Sequence, residues 1–164
     1  MIQRVSGSAG AAAMECVNPR KDKWRVRFGM VENNDGTATW IEADFAHKPT
    51  DEEVRNAIAE YYNGETSAKI LSGYKWNGQT VWLSVENQMN YKAELEVMNV
   101  TGSISRPVRL KLGTDAEPVY YDIETEEEYT EFVAGMTRHI STALREGWEK
   151  KDAAMKEWLL EIKK

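Results

Sequence analysis

The chain has 164 residues, 41% of them hydrophobic and 29% charged, with one cysteine and a formal net charge of −6. Such a chain can bury a real core but cannot build an internal disulfide, and no stretch of it approaches the ~18 apolar residues that a bilayer-spanning helix needs. Its acidic balance repels nucleic acid, so neither nucleic acid nor membrane is expected as a partner.

Residues 1–27 run against that balance, with six basic side chains (Arg4, Arg20, Lys21, Lys23, Arg25, Arg27) against Glu15 and Asp22. Residues 1–13 are small and polar and end in Ala11-Ala12-Ala13, so they read as a flexible arm. They lack the long apolar centre of a secretory signal, and a cytosolic origin is expected. From Trp24 the pattern alternates. Trp24, Val26, Phe28 and Met30 share one face, the turn residues Asn33-Asn34-Asp35-Gly36 follow, and Ile41, Ala43 and Phe45 resume the alternation. This predicts a first hairpin.

Pro49-Thr50-Asp51-Glu52-Glu53 starts a helix with a capping box between Thr50 and Glu53. Val54, Ala57, Ile58 and Tyr61 form its apolar stripe, and Asn63-Gly64 is the expected stop. A second hairpin spans 69–85 around Asn77-Gly78, a pair that tolerates the positive φ of a type I′ turn. The following helix, near 86–101, places Met89, Ala93, Val97 and Val100 on one face, which is expected to be buried, and Gly102 ends it.

Pro107 opens a fifth strand, where Val108, Leu110 and Leu112 alternate with Arg109 and Lys111. Val119, Tyr121 and Ile123 mark the sixth. Thr125 and Glu128 repeat the capping box, and the last helix carries Tyr129, Phe132, Val133, Met136, Ile140, Leu144 and Trp148 at steps of three and four. The order strand, strand, helix is thus written three times. It predicts an α+β fold with antiparallel hairpins in a sheet and helices on one face. The expected division is a flexible N-terminal arm over 1–13, an N-terminal ββα unit over 14–66, a ββαββα domain over 67–150 and a C-terminal helical extension over 151–164.

The last helix has no proline over 126–163 and could be on the order of 55 Å long. Beyond Gly147, the residues Trp148, Met155, Trp158, Leu159 and Ile162 carry an apolar edge that is expected to meet another subunit, which makes a homo-oligomer the expected state. Folding back of this tail onto its own domain is the alternative.

No spacing in the chain announces chemistry. His47 and His139 have no ligand partners at metal-binding spacing, and no phosphate-binding glycine loop, nucleophile elbow or zinc-protease helix is present. Glu126-Glu127-Glu128 sits at a helix start, where its charge suits the dipole. The expectation is a chain without catalytic residue, metal or cofactor. Six tryptophans are the unusual feature. Trp40 and Trp82 fall opposite the assigned core face, so a sheet face bearing Trp40, Trp76 and Trp82 could pack on another copy or bind carbohydrate or a host protein, with burial under the N-terminal segment as the alternative.

The stretch Trp76-Asn77-Gly78-Gln79-Thr80-Val81-Trp82-Leu83-Ser84-Val85-Glu86-Asn87-Gln88-Met89-Asn90-Tyr91-Lys92-Ala93 resembles an uncharacterised domain of bacteriophage and prophage tail-associated proteins. In that domain a Trp-Asn-Gly-type hairpin leads into a polar helix, a second hairpin and a long helix that ends near a Gly-Trp. The resemblance covers about residues 68–150, to Gly147-Trp148, and leaves residues 14–66 outside it. It implies a virion-associated structural or assembly protein, a tail or fibre component assembled in the bacterial host cytoplasm, whose partners are its own copies or other virion proteins. It brings no catalytic residue. The second expectation is the carbohydrate- or host-protein-binding module with its aromatic sheet face.

Overall fold

The computed structural model describes residues 2–103 and 107–161. The fold is α+β and divides into two compact units, one of residues 1–64 with 147–164 and one of residues 65–146.

The first unit is built on a four-stranded antiparallel sheet of β1 (Ile2–Ser8), β2 (Met14–Asn18), β3 (Lys23–Glu32) and β4 (Thr37–Phe45), in the order β1-β4-β3-β2. The alternation read from the sequence sets its register. Val26, Phe28, Ile41 and Ala43 turn to one face and are buried under Val54, Ala57, Ile58 and Tyr62 of α1 (Asp51–Gly73). Thr50 and Glu53 close the expected capping box, with Thr50 N donating to Glu53 Oε2 at 2.8 Å and Glu53 N donating to Thr50 Oγ1 at 3.3 Å.

Residues 2–8 are not a flexible arm. They pair with β4 from Ile2–Ala43 to Ser8–Thr37, because β4 is otherwise an open edge with a full row of backbone donors and acceptors. Smallness here serves packing. A side chain at Gly7 would fall 2.6 Å from the Trp40 ring.

The C-terminal segment is also placed differently from its expectation. α3 (Glu126–Glu161) brings Ala154 and Trp158 into the core of the first unit, with Trp158 only 3% exposed and its Nε1 donating to Asp51 Oδ1 at 2.9 Å. Met155 packs beside them and Leu159 is half-buried. The tail therefore folds back on this unit and completes a core that the sheet and α1 leave open. Among the residues proposed for a subunit contact, only Trp148 is clearly in solvent, and Ile162 lies outside the described residues.

α1 does not stop at Asn63-Gly64 but runs to Gly73. A helix-interior glycine costs about 1 kcal/mol, too little to end a helix whose flanking turns pack well.

The second unit holds α2 (Val85–Thr101), two short hairpins and the first part of α3. Asn77 and Gly78 have φ of +48° and +77°, the values of the expected turn. The hairpin around them is minimal, with β5 (Lys75–Trp76) paired to β6 (Gln79–Thr80). Beyond β6, Val81 N still donates across the hairpin to Tyr74 O at 2.9 Å, and Leu83 N donates to Leu71 O in the last turn of α1 at 2.8 Å. β7 (Val108–Gly113) pairs with β8 (Pro118–Ile123) in a separate two-stranded sheet. The two hairpins thus do not share the sheet expected of them. The parity argument survives this, since Val81, Leu83, Leu110, Leu112 and Ile123 are buried against Tyr129, Phe132, Val133 and Met136 of α3, with Tyr121 packed beside them.

α2 is capped by Ser84, whose Oγ accepts from Asn87 N at 3.2 Å, and it ends at Gly102 as expected, in the left-handed conformation. Its buried side is not the expected one. Tyr91, Leu95 and Met98 face the core, while Met89, Ala93, Val97 and Val100 are in solvent. α2 carries two apolar rows, and the one with the aromatic ring wins the core. Tyr91 stacks edge-on to Phe132 at 5.0 Å, and its carbonyl accepts from the Tyr129 hydroxyl at 3.0 Å.

Candidate functional site

Both histidines are held by neighbours in their own unit. His47 Nε2 lies 2.8 Å from Glu53 Oε1, the carboxylate that also closes the α1 cap, and the Thr50 amide holds Glu53 below its usual range. His139 Nε2 lies 3.0 Å from Lys69 O. Cys16 is half-buried in β2, with Glu15 and Val17 as its chain neighbours. Among the described residues no three or more His, Cys, Asp or Glu side chains gather as a metal site, and no helix is long and apolar enough to cross a membrane.

A charge cluster lies on the outer face of the first unit's sheet. Arg27 donates to Glu42 at 2.9 Å and pairs with Glu15, while Trp40 Nε1 donates to the same Glu42 oxygen at 3.0 Å. Burial pushes the Glu42 carboxyl up, but the Trp40 and Arg27 hydrogen bonds and the Arg25 charge outweigh it, so the group sits below its usual range. The neighbouring Asp44 is held at about 2, chiefly by its hydrogen bond from Arg25. Every charge here has its partner within the sheet, so the cluster fastens β2, β3 and β4 together.

The three tryptophans expected to share a binding face do not. Trp40 is buried in the first unit, beneath Gly7 and 5.7 Å from the Arg27 guanidinium. Trp76, in the second unit, turns its ring edge-on to Phe132 at 5.4 Å, and its Nε1–H is buried without a hydrogen-bond partner among the described residues. The reason is topological, since the first hairpin belongs to a different sheet from the second. Only Trp82 is open, half exposed at the entrance to α2.

Trp82 lines an open groove of about 780 Å³ in the second unit, together with Thr80, Asn87, Asn90 and Tyr91 and with most of β7 and its turn, Val108 to Asp115. Burial pushes the Tyr91 hydroxyl up, which marks the wall nearest the core. Arg109 and Lys111 reach this groove already paired, to Asp122 at 2.7 Å and to Asp115 at 2.6 Å.

A second surface stands out on α2. Val85, Met89, Val97 and Val100 are between 53% and 86% exposed, and Ala93 lies between them in the same row. Sequence reasoning found this row but gave it to the core. It missed the groove beside Trp82, because contacts between separate elements leave no mark in side-chain periodicity.

No family model, no curated protein and no solved structure matches this chain.

Proposed function

We propose that this protein is a non-enzymatic structural or assembly component of a bacteriophage or prophage virion, a tail or fibre protein assembled in the host cytoplasm, which works through protein–protein contacts and self-associates through the outward row of α2. The hairpin-to-helix resemblance supplies the biological setting. The observation that carries the contact reading is the row Val85, Met89, Ala93, Val97 and Val100, left in water on a well-capped helix. Each large apolar side chain is worth roughly 1.5–3 kcal/mol when fully buried, so a folded domain gains by covering such a row.

A second copy fits this row better than an unrelated surface does. Met89 and Val97 stand four residues either side of Ala93, and Val85 and Val100 stand near the two ends. An antiparallel pair about a two-fold axis, crossing at the small Ala93, sets each half of the row against the other half of its mate. Parallel pairing would stack Glu86 and Glu96 on their own copies, whereas antiparallel pairing separates them. A contact of one helix face is below the ~800 Å² per partner of a standard interface, so the pair is weak alone and suited to an assembly that multiplies it.

The virion setting is tested by fractionation. An antibody raised against the chain should find it in purified, intact phage particles from an induced source strain. Recovery in the particle-free fraction alone would remove the virion part of the reading.

A further inference from the structure

We infer that the groove beside β7 is a docking site for an extended, uncharged peptide segment of a partner protein, which pairs with β7 as an added strand. This rests on the protein-contact reading above and concerns a different surface of the second unit.

β7 has β8 on one side and, among the described residues, no strand paired on the other, since β6 comes near it without forming a ladder. The direction of its backbone groups follows from the turn. Thr114 N donates to Glu117 O at 3.3 Å, and antiparallel pairs then alternate between bonded and unbonded. Gly113–Pro118 is therefore an unbonded pair, as the missing N–H of proline requires, and Leu112–Val119 and Leu110–Tyr121 are bonded ones. The amides and carbonyls of Arg109 and Lys111 consequently point away from β8. Both residues line the groove.

A row of backbone donors and acceptors at strand spacing asks for a ligand with the same repeat, and another strand supplies it. The charges agree with an uncharged occupant. The groove sets Arg109 and Lys111 against Glu94 and Asp115, and Arg109 is also matched by Asp122, so no net charge asks for a counter-ion from outside. Trp82 and Tyr91 offer apolar contact for alternate side chains of the incoming strand, while Thr80 and Asn90 offer polar contact. β7 has six residues, so the paired segment is a strand of ordinary length, about 5–6 residues.

The test uses the full chain, isotopically labelled, with a pool of blocked hexapeptides that alternate Val, Ile or Tyr with Ser or Thr. Hydrogen exchange of the Arg109 and Lys111 amides is read by NMR. At saturation these two amides should slow about tenfold or more. Trp82→Ala, and independently Asn90→Arg at an exposed helix position, should weaken binding about fivefold or more. The same peptides N-methylated on alternate amides should lose binding in the register that removes the β7 bonds.

The site is overturned if no peptide protects these amides up to about millimolar concentration, or if both N-methylated registers bind like the parent. It is equally overturned if a neutral oligosaccharide such as chitohexaose perturbs Trp82 and these amides while peptides do not. A chain that assembles through α2 but leaves Arg109 and Lys111 unprotected loses this site alone. One that takes up peptide and stays monomeric loses self-association instead.

Discussion

At the scale of single residues, several side chains and one glycine set the first unit's stability. Gly29 has a φ of +60° at the bulge in β3, and a Cβ there would fall 2.5 Å from the Tyr62 hydroxyl and 3.3 Å from Ile41 Cδ1. Gly29→Ala should therefore cost about 2 kcal/mol or more, read as a lowered urea midpoint with an unchanged slope. Asp44 gives a pH signature. Its folded carboxyl titrates at about 2 against an ordinary 3.8, so its stabilising share is complete above the unfolded value and is lost as pH falls through the folded one. Solvent reaches this group, which limits the share to about 1 kcal/mol. Asp44→Asn should flatten the fall in stability between about pH 4 and 2, followed by urea titration. Trp158→Ala should cost about 3–5 kcal/mol, since Trp158 fills the core between α1 and the sheet and holds Asp51.

At the scale of elements, two glycines in helices are predicted to act with opposite sign. Gly64 lies inside α1 with open space about it, so Gly64→Ala should stabilise by about 1 kcal/mol in thermal or urea unfolding. Gly135 lies inside α3, where a Cβ would fall 2.5 Å from the Tyr74 hydroxyl, which donates to Phe132 O at 2.9 Å. There the same substitution should destabilise by about 1–3 kcal/mol despite the better helix propensity. The contrast also shows what the sequence could reveal. Capping and turn chemistry were legible at Thr50–Glu53, Asn77-Gly78 and Gly102, because these signals are local. The face of α2 was not, because two apolar rows compete and only the position of Phe132 decides between them. β1 was hidden for a related reason, since Gly7 and its small neighbours owe their strand to β4 and the Trp40 ring. Of the candidate sites, Trp82 was visible as an outward tryptophan, but the groove it lines depends on two hairpins that stay unpaired.

At the scale of the whole molecule, the C-terminal segment and the outward row of α2 exchange the roles the sequence proposes for them. Trp158 is core and Val97 and Met89 are surface. An assembly built on α2 should respond to charge placed in that row and leave each unit folded, because those side chains hold nothing inside. The central claim is tested by light-scattering mass across a concentration series for the parent and for Met89→Glu/Val97→Glu, which sets like charges opposite each other across the antiparallel pair. The account predicts that the parent mass rises with concentration from 18.7 kDa towards twice that value, while the double variant stays at one chain with unchanged circular dichroism. A parent that remains at one chain up to about millimolar concentration, or a double variant that assembles as the parent does, would contradict it.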